Sequence, residues 1–132
     1  MADSLNPRLS QAATDLGLPY DGSHQDWGIE SADPERLPEF VAYYRDHQAE
    51  FDEWAQEYYL GELLLQSAND ALHGSSQPYA LIETALFLVI ARREHEATQF
   101  LLNYWVRLDR SPFVEGKTEF PIAAVLRRAF GS

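Results

Sequence analysis

The chain has 132 residues and a formal net charge of −11, a length that fits one domain. Its hydrophobic fraction of 45% supplies one core, and its charged fraction of 23% is ordinary, which together exclude a disordered chain. The absence of cysteine excludes a disulfide framework, a thiolate metal site and a cysteine nucleophile.

The first 33 residues predict a peripheral N-terminal segment. A short helix is expected from Pro7 to Leu16, closed by Gly17 in a left-handed cap. Turn-forming residues are dense between positions 17 and 33, which indicates an irregular segment with Trp27 and Ile29 packed against the core. The polar start has no basic and apolar regions of the kind that make a signal peptide.

Residues 34–72 predict one turn followed by two helices. The turn covers residues 34–37, and the first helix begins at Pro38, with one apolar face formed by Leu37, Phe40, Val41 and Tyr44. The second helix spans about residues 50–72. Its apolar stripe is expected to hold Trp54, Tyr58, Gly61, Leu65, Ala68 and Leu72, so its carboxylates are expected to face water.

The C-terminal half predicts three more helices. Gly74 ends the long helix, and Ser76 is expected to cap a helix over residues 78–92 that is apolar nearly all round and therefore central. After "RREHE" a new apolar helical face begins, formed by Ala97, Phe100, Leu101, Tyr104, Trp105 and Leu108. A loop over residues 109–119 leads to a last helix from Pro121, with Arg127 and Arg128 in its final turn.

These elements predict an all-α fold. We expect a single domain over residues 1–132, with five or six helices around a central antiparallel hairpin of the 50–72 and 78–92 helices. Residues 1–33 form the peripheral segment and residues 34–130 the helical core. The longest apolar run, residues 85–91, is far shorter than the roughly 20 residues of a membrane span, and a cytoplasmic protein is expected.

The sequence carries no pattern that favours catalysis, a metal or a cofactor. The four histidines lack the three- or four-residue spacing of a helical metal pair, and a structural or surface role explains His24 and Asp26 better than metal binding does. Glu94, His95 and Glu96 point in different directions on a helix and indicate a solvated helix start. The chain has no phosphate-binding glycine loop and no nucleophile elbow, so we predict that it is not an enzyme.

The negative charge is concentrated in the N-terminal half. Residues 1–70 hold 15 Asp/Glu and 3 Lys/Arg, a net charge of −12, which repels nucleic acid and anionic membranes and attracts basic proteins. Solubility alone also explains such a surface. If it binds a partner, we expect the contact residues to be Asp46, Glu50, Asp52, Glu53, Glu57 and Glu62, with Tyr43 and Tyr59 as anchors at the rim.

Several stretches resemble small bacterial immunity-type proteins. They are "DWGIESADPERLPEFVAYY", "LLLQSANDAL", "FLLNYW" and "FPIAAVLRRAF", which together cover about residues 25–130. Such proteins are typically encoded beside polymorphic toxins, including those with Rhs-type carriers. The resemblance implies a protein that binds and neutralises a cognate toxin domain. The acidic surface would suit a basic toxin such as a nuclease, and we expect a monomer or weak dimer.

Two other functions stay open at this point. A chaperone or adaptor for a secreted effector is also small and acidic, and it would form a dimer with an exposed apolar groove. An enzyme or metal protein would need buried, converging carboxylates or histidines.

Overall fold

A computed structural model describes residues 7–20, 27–107 and 121–130, which are mostly helical and contain no strand. The all-α prediction is therefore confirmed for this part of the chain. The α-helices are α1 (Pro7–Leu16), α2 (Trp27–Glu30), α3 (Leu37–His47), α4 (Trp54–Gly74), α5 (Tyr79–Ile90), α6 (Glu96–Trp105) and α7 (Ile122–Phe130). Two 3-10 turns, Pro34–Arg36 and Gln48–Glu50, flank α3.

Helix α1 ends as the sequence predicts. Gly17 has a φ of 69°, and the amide of Leu18 donates to the carbonyl of Ala13 at 2.8 Å. The helix buries one apolar face against the core, formed by Leu9, Ala12, Ala13 and Leu16, and it contacts α4.

Helix α2 is a single turn that lies directly on α4. Trp27 is buried as predicted, and its indole Nε1 donates to the carbonyl of Pro19 at 2.6 Å. The prediction for Ile29 is wrong, because this side chain is 41% exposed on the outer side of the same turn. Gly28 lets the two backbones approach closely: a Cβ there would lie 2.9 Å from the carbonyl oxygen of Tyr59 and 2.9 Å from Glu62 Cβ.

We therefore expect Gly28→Ala to lower the free energy of unfolding by about 1–3 kcal/mol, the usual cost of overpacking. The backbone oxygen of Tyr59 cannot move aside as a flexible side chain would. Urea denaturation followed by circular dichroism measures the change. Gly74→Ala is the matched control, because a Cβ at Gly74 meets no atom within 4 Å. Equal stability of the two variants would contradict the proposed close contact.

Helix α3 follows the sequence prediction closely. Asp33 Oδ1 accepts from the amide of Glu35 at 3.0 Å and starts the 3-10 turn, and α3 begins at Leu37, one residue before the predicted start. The predicted apolar face is confirmed, because Leu37, Phe40, Val41 and Tyr44 are all buried.

Helix α4 contacts all six other helices. It begins at Trp54 instead of position 50, because residues 48–50 form a 3-10 turn and Phe51 is extended. Between Leu60 and Ala71 almost every side chain is buried, whereas Trp54 in its first turn is 47% exposed. The helix runs through Gly74, and Ser75 adopts the left-handed cap with a φ of 54°.

Helix α5 is mostly apolar yet buried on one side only. Ile82, Ala85, Leu86 and Val89 face the core, whereas Tyr79 and Phe87 are exposed by 46% and 54%. Ser76 does not cap it: Pro78 occupies the cap position and no side chain accepts a hydrogen bond there. The four-residue link from α4 brings α5 back into contact with it.

Helices α6 and α7 complete the described core. Ala97, Leu101 and Trp105 of α6 are buried as predicted, but Phe100 and Tyr104 are exposed by 60% and 50% and were wrongly expected to face inward. At the start of α7, the amide of Ile122 donates to Asn69 Oδ1 of α4 at 3.2 Å. The predicted loop over residues 109–119 and the side chain of Leu108 lie outside the described residues.

In the described ranges, none of the helices combines the length and apolar character that crossing a bilayer requires.

Candidate functional site

Four of the predicted contact residues lie at or near the surface before α4. Asp46 and Glu50 are exposed, and the carboxylate of Asp52 accepts from Arg8 Nη2 at 2.9 Å. Glu53 is half-buried at the cap position of α4. The acidic surface thus exists at residues 46–53, where the chain turns from α3 into α4.

Glu57 is buried, so the prediction that it faces water is wrong. Its Oε1 accepts from Arg92 Nη2 at 2.8 Å, its Oε2 accepts from Arg92 Nε, and Thr98 Oγ1 also donates to Oε2 at 2.9 Å. The hydrogen bond to Glu57 raises the pKa of the Arg92 guanidinium above its ordinary value. This cluster joins the first turn of α4 to the α5–α6 turn and to the first turn of α6.

Glu62 is also buried, which corrects the second prediction of an outward carboxylate. It lies beneath Gly28 of α2. The physical reason is shared with Glu57: α4 is covered on several sides, so the residues opposite its apolar stripe are also inside. Both side chains are therefore held inside the fold, with exposures of 5% for Glu57 and 3% for Glu62.

The two predicted tyrosine anchors are both partly buried. The hydroxyl of Tyr43 donates to Asp15 Oδ2 at 2.9 Å, and its ring stacks on His47 with centroids 3.9 Å apart. Burial, together with that hydrogen bond, raises the pKa of Tyr43. Tyr59 packs against the partly buried ring of Tyr58 with centroids 5.3 Å apart. Contacts within the fold therefore explain the position of both rings.

A different set of aromatic residues is exposed. Trp54 stacks on Tyr58 with centroids 4.9 Å apart and an interplanar angle of 9°, and Phe100 of α6 lies 6.1 Å from each of these rings. We call these three residues the aromatic patch. Exposed aromatic clusters of this kind are uncommon on monomeric proteins away from binding surfaces. Tyr104 lies one helical turn after Phe100 and is also exposed.

An open cleft of about 220 Å³ adjoins the aromatic patch at Trp54. It lies between the starts of α4 and α6, and four carboxylates line it with Trp54 and His95: Asp52, Glu53, Glu57 and Glu96. Drug-sized ligands usually occupy pockets of about 300–1,000 Å³, so this cleft fits a single long side chain better than a large cofactor.

The sequence did not predict the aromatic patch, because the apolar stripe predicted for α4 includes the first turn of that helix. Trp54 and Tyr58 fit the helical spacing of core residues, but the bundle covers α4 fully only from Leu60 onward. The sequence did contain an indication of the buried Glu57–Arg92 ion pair. Arg92 directly follows a strongly apolar helix, where a cation needs a buried carboxylate partner.

Among the described residues, no three histidine, aspartate or glutamate side chains converge in a way that would hold a metal ion. Compared with known proteins, the chain matches no family model, no curated protein and no solved structure.

Proposed function

We propose that this protein is an immunity protein that binds and neutralises a cognate bacterial toxin domain, with the aromatic patch as the centre of the contact surface. The observation that carries the proposal is the cluster of the exposed Trp54 and Phe100 around the half-buried Tyr58, beside a cleft lined by carboxylates. Tryptophan and tyrosine are enriched among the residues that dominate binding energy in protein interfaces.

Charge supports a basic partner. The exposed carboxylates of Asp46, Glu50 and Asp52 lie on the segment that leads into the patch, and the whole chain carries a net charge of −11. Such a surface accelerates encounter with a basic protein and repels nucleic acid and anionic membranes. The toxin as partner rests on the resemblance of residues 25–130 to immunity-type proteins, and a nuclease is the candidate because nucleases are commonly basic.

The proposed mechanism is stoichiometric binding that blocks the toxin, without catalysis by this chain. We place the protein in the cytoplasm, as a monomer or weak dimer and a single domain with α4 and α5 as a central antiparallel hairpin. Glu57 and Glu62 are not part of the proposed contact surface, because both are buried.

Growth rescue tests this proposal. The C-terminal domain of the neighbouring large open reading frame is expressed in a naive host, with and without this protein. Rescue and co-purification of a stoichiometric complex are expected. If the domain kills equally in the presence of this protein, or is harmless without it, the immunity proposal fails for that pair.

Two exposed phenylalanines provide a matched test of the contact surface. We expect Phe100→Ala to weaken toxin binding at least tenfold, or about 1.4 kcal/mol, because Phe100 belongs to the aromatic patch. Phe87→Ala, on the exposed side of α5, is expected to change binding less than about twofold. Isothermal titration calorimetry on both variants measures the difference. The reverse ranking would place the contact on α5.

An effector chaperone is the second candidate, and the exposed side of α5 favours it. Tyr79 and Phe87 are both exposed there, on a helix whose mostly apolar sequence would suit an apolar segment of a partner. A chaperone would capture an unfolded segment, whereas an immunity protein binds a folded domain. Circular dichroism of the partner recovered from the complex distinguishes the two.

A further inference from the structure

The outer face of α6 is separated cleanly from its buried face. Successive residues of an α-helix are about 100° apart, and the exposed residues of α6 and of the turn after it share one arc of roughly 140°. The amide of Arg107 donates to the carbonyl of Tyr104 at 3.2 Å, which continues the helical course to Arg107. We call this surface the α6 face, and it consists of Glu96, Gln99, Phe100, Asn103, Tyr104 and Arg107.

The α6 face has opposite charges at its two ends. Glu96 begins it and Arg107 ends it, and neither forms an ion pair with another of the residues that the structure describes. The middle is aromatic, because Phe100 and Tyr104 lie one turn apart and are exposed by 60% and 50%. Trp54 of α4 extends this middle part, with its ring centroid 6.1 Å from that of Phe100. A partner that fits the face therefore carries the same charges in reverse order around an apolar centre.

A second copy of the chain meets this requirement. In a two-fold contact, a residue that touches another residue is touched in return by the symmetry-related copy of the same pair. We consider an antiparallel pair of α6 helices whose two-fold axis passes between positions 101 and 102. Each of the following opposed pairs then forms twice: Glu96 with Arg107, Gln99 with Tyr104, and Phe100 with Asn103. Two ion pairs thus flank a centre of four aromatic rings.

The antiparallel direction is favoured over the parallel one. It places the positive N-terminal end of each α6 beside the negative C-terminal end of the other. The carboxylate of Glu96 accepts from the guanidinium of Arg107, and the amide of Gln99 is matched to the hydroxyl of Tyr104. A parallel pair would instead bring like charges together at both ends of the face.

The association is expected to be weak. The α6 face and Trp54 provide far fewer residues than the roughly 20–30 on each side of a standard interface. The net charge of −11 on each copy also opposes association. At physiological ionic strength, however, charges more than about 8 Å apart are largely screened from each other, whereas ion pairs within the contact are screened less. The contact therefore forms reversibly at high protein concentration.

We propose that the α6 face is a self-association surface, on which a second copy of this chain packs antiparallel about a two-fold axis. Phe100 and Tyr104 form the centre of the contact, and the pairs of Glu96 with Arg107 form its ends. Phe100 belongs both to this contact and to the aromatic patch, so self-association and toxin binding exclude each other. That exclusion rests on the proposed function, whereas the self-association does not.

Sedimentation velocity on the intact protein tests the proposal. We expect the weight-average sedimentation coefficient to rise between about 10 μM and about 1 mM protein, the range in which small interfaces associate. Glu96→Arg and Arg107→Glu each place like charges opposite one another twice, and each is expected to weaken self-association roughly tenfold or more. Both side chains are exposed, and circular dichroism checks that the variants fold.

The double variant Glu96→Arg/Arg107→Glu is the decisive arm. It has the net charge of the wild-type protein and restores opposite charges at both ends of the antiparallel contact, so we expect it to recover most of the lost association. Glu30→Arg and Arg45→Glu are the matched controls, because they make the same two changes of charge at exposed positions on α2 and α3. Each is expected to change self-association less than about twofold.

Three results would overturn the proposal. The first is a protein that stays monomeric over the whole concentration range. The second is a double variant that associates no better than the single variants. The third is a greater loss of association in Phe87→Ala than in Phe100→Ala, which would place the contact on the exposed side of α5.

The outcome is distinguishable from that of the growth-rescue experiment. If the protein stays monomeric but rescues growth, the self-association surface is wrong and the immunity function stands. If association follows the charge pattern and rescue fails, the surface stands and the immunity function fails for that pair. A toxin complex that still contains two copies of this chain joined through the α6 face would contradict the mutual exclusion alone.

Discussion

Replacing Arg92 with alanine is expected to lower the free energy of unfolding by about 3–5 kcal/mol, the typical cost of breaking a buried ion pair from one side. Glu57 and Arg92 have side-chain exposures of only 6% and 12%, and two N–H groups of Arg92 point at the carboxylate. Without the guanidinium, the buried carboxylate of Glu57 keeps the hydrogen bond from the Thr98 hydroxyl but loses its ion pair. The loss of the Arg92 contact with the Phe51 ring adds to the effect.

Urea denaturation of Arg92→Ala measures this loss. Arg45→Ala is the matched control, because the Arg45–Asp46 pair is 57% and 63% exposed and lies 3.5 Å apart, and exposed pairs contribute little. The loss of unfolding free energy in Glu57→Gln is expected to fall between the losses in Arg92→Ala and Arg45→Ala. This substitution removes the carboxylate charge of residue 57 and keeps an oxygen acceptor for Arg92. If Arg92→Ala lowers the free energy of unfolding no more than Arg45→Ala does, the buried pair does not stabilise the fold.

Replacing Trp27 with alanine is expected to cost about 3–5 kcal/mol, as for other large buried aromatics. Trp27 is 1% exposed, its ring meets Tyr20 edge-on with centroids 6.3 Å apart, and its Nε1 donates to Pro19. The substitution would therefore leave a cavity and free the carbonyl of Pro19. Trp27 is also the one large side chain that the four-residue helix α2 buries.

Trp54→Ala is the control for Trp27→Ala, since it removes the same ring from a half-exposed position. We expect it to cost less than about 1.5 kcal/mol, mainly through the lost stacking on Tyr58. The midpoint of thermal unfolding, followed by circular dichroism at 222 nm, ranks the two variants. Similar midpoints would mean that α2 does not anchor the N-terminal segment.

The sequence predicted the buried face best in α3. The spacing of Phe40, Val41 and Tyr44 in α3 identified the core side correctly, because the opposite side of the helix faces solvent. The same reasoning failed for α4. A helix in contact with all the others has no single apolar stripe, so periodicity cannot say that Glu57 is inside and Trp54 partly outside.

Only the acidic part of the candidate site could be predicted from the sequence, for a related reason. The acidic segment at residues 46–53 was found from charge alone. The aromatic patch joins Trp54 to Phe100 across 46 positions of sequence, and no local pattern reports such a contact. The spacing of apolar residues in α6 also did not distinguish Phe100, which is exposed, from its neighbour Leu101, which is buried.

The buried cluster of Glu57, Arg92 and Thr98 also affects the entropy cost of binding a partner. It fixes the first turn of α4, which carries Trp54, to the first turn of α6, which directly precedes Phe100. The rings therefore lie on regular helices instead of loops, and the proposed partner would have little backbone to immobilise here. Ordering an interface side chain costs roughly 0.5–1.5 kcal/mol, and much of that cost was already met when the protein folded.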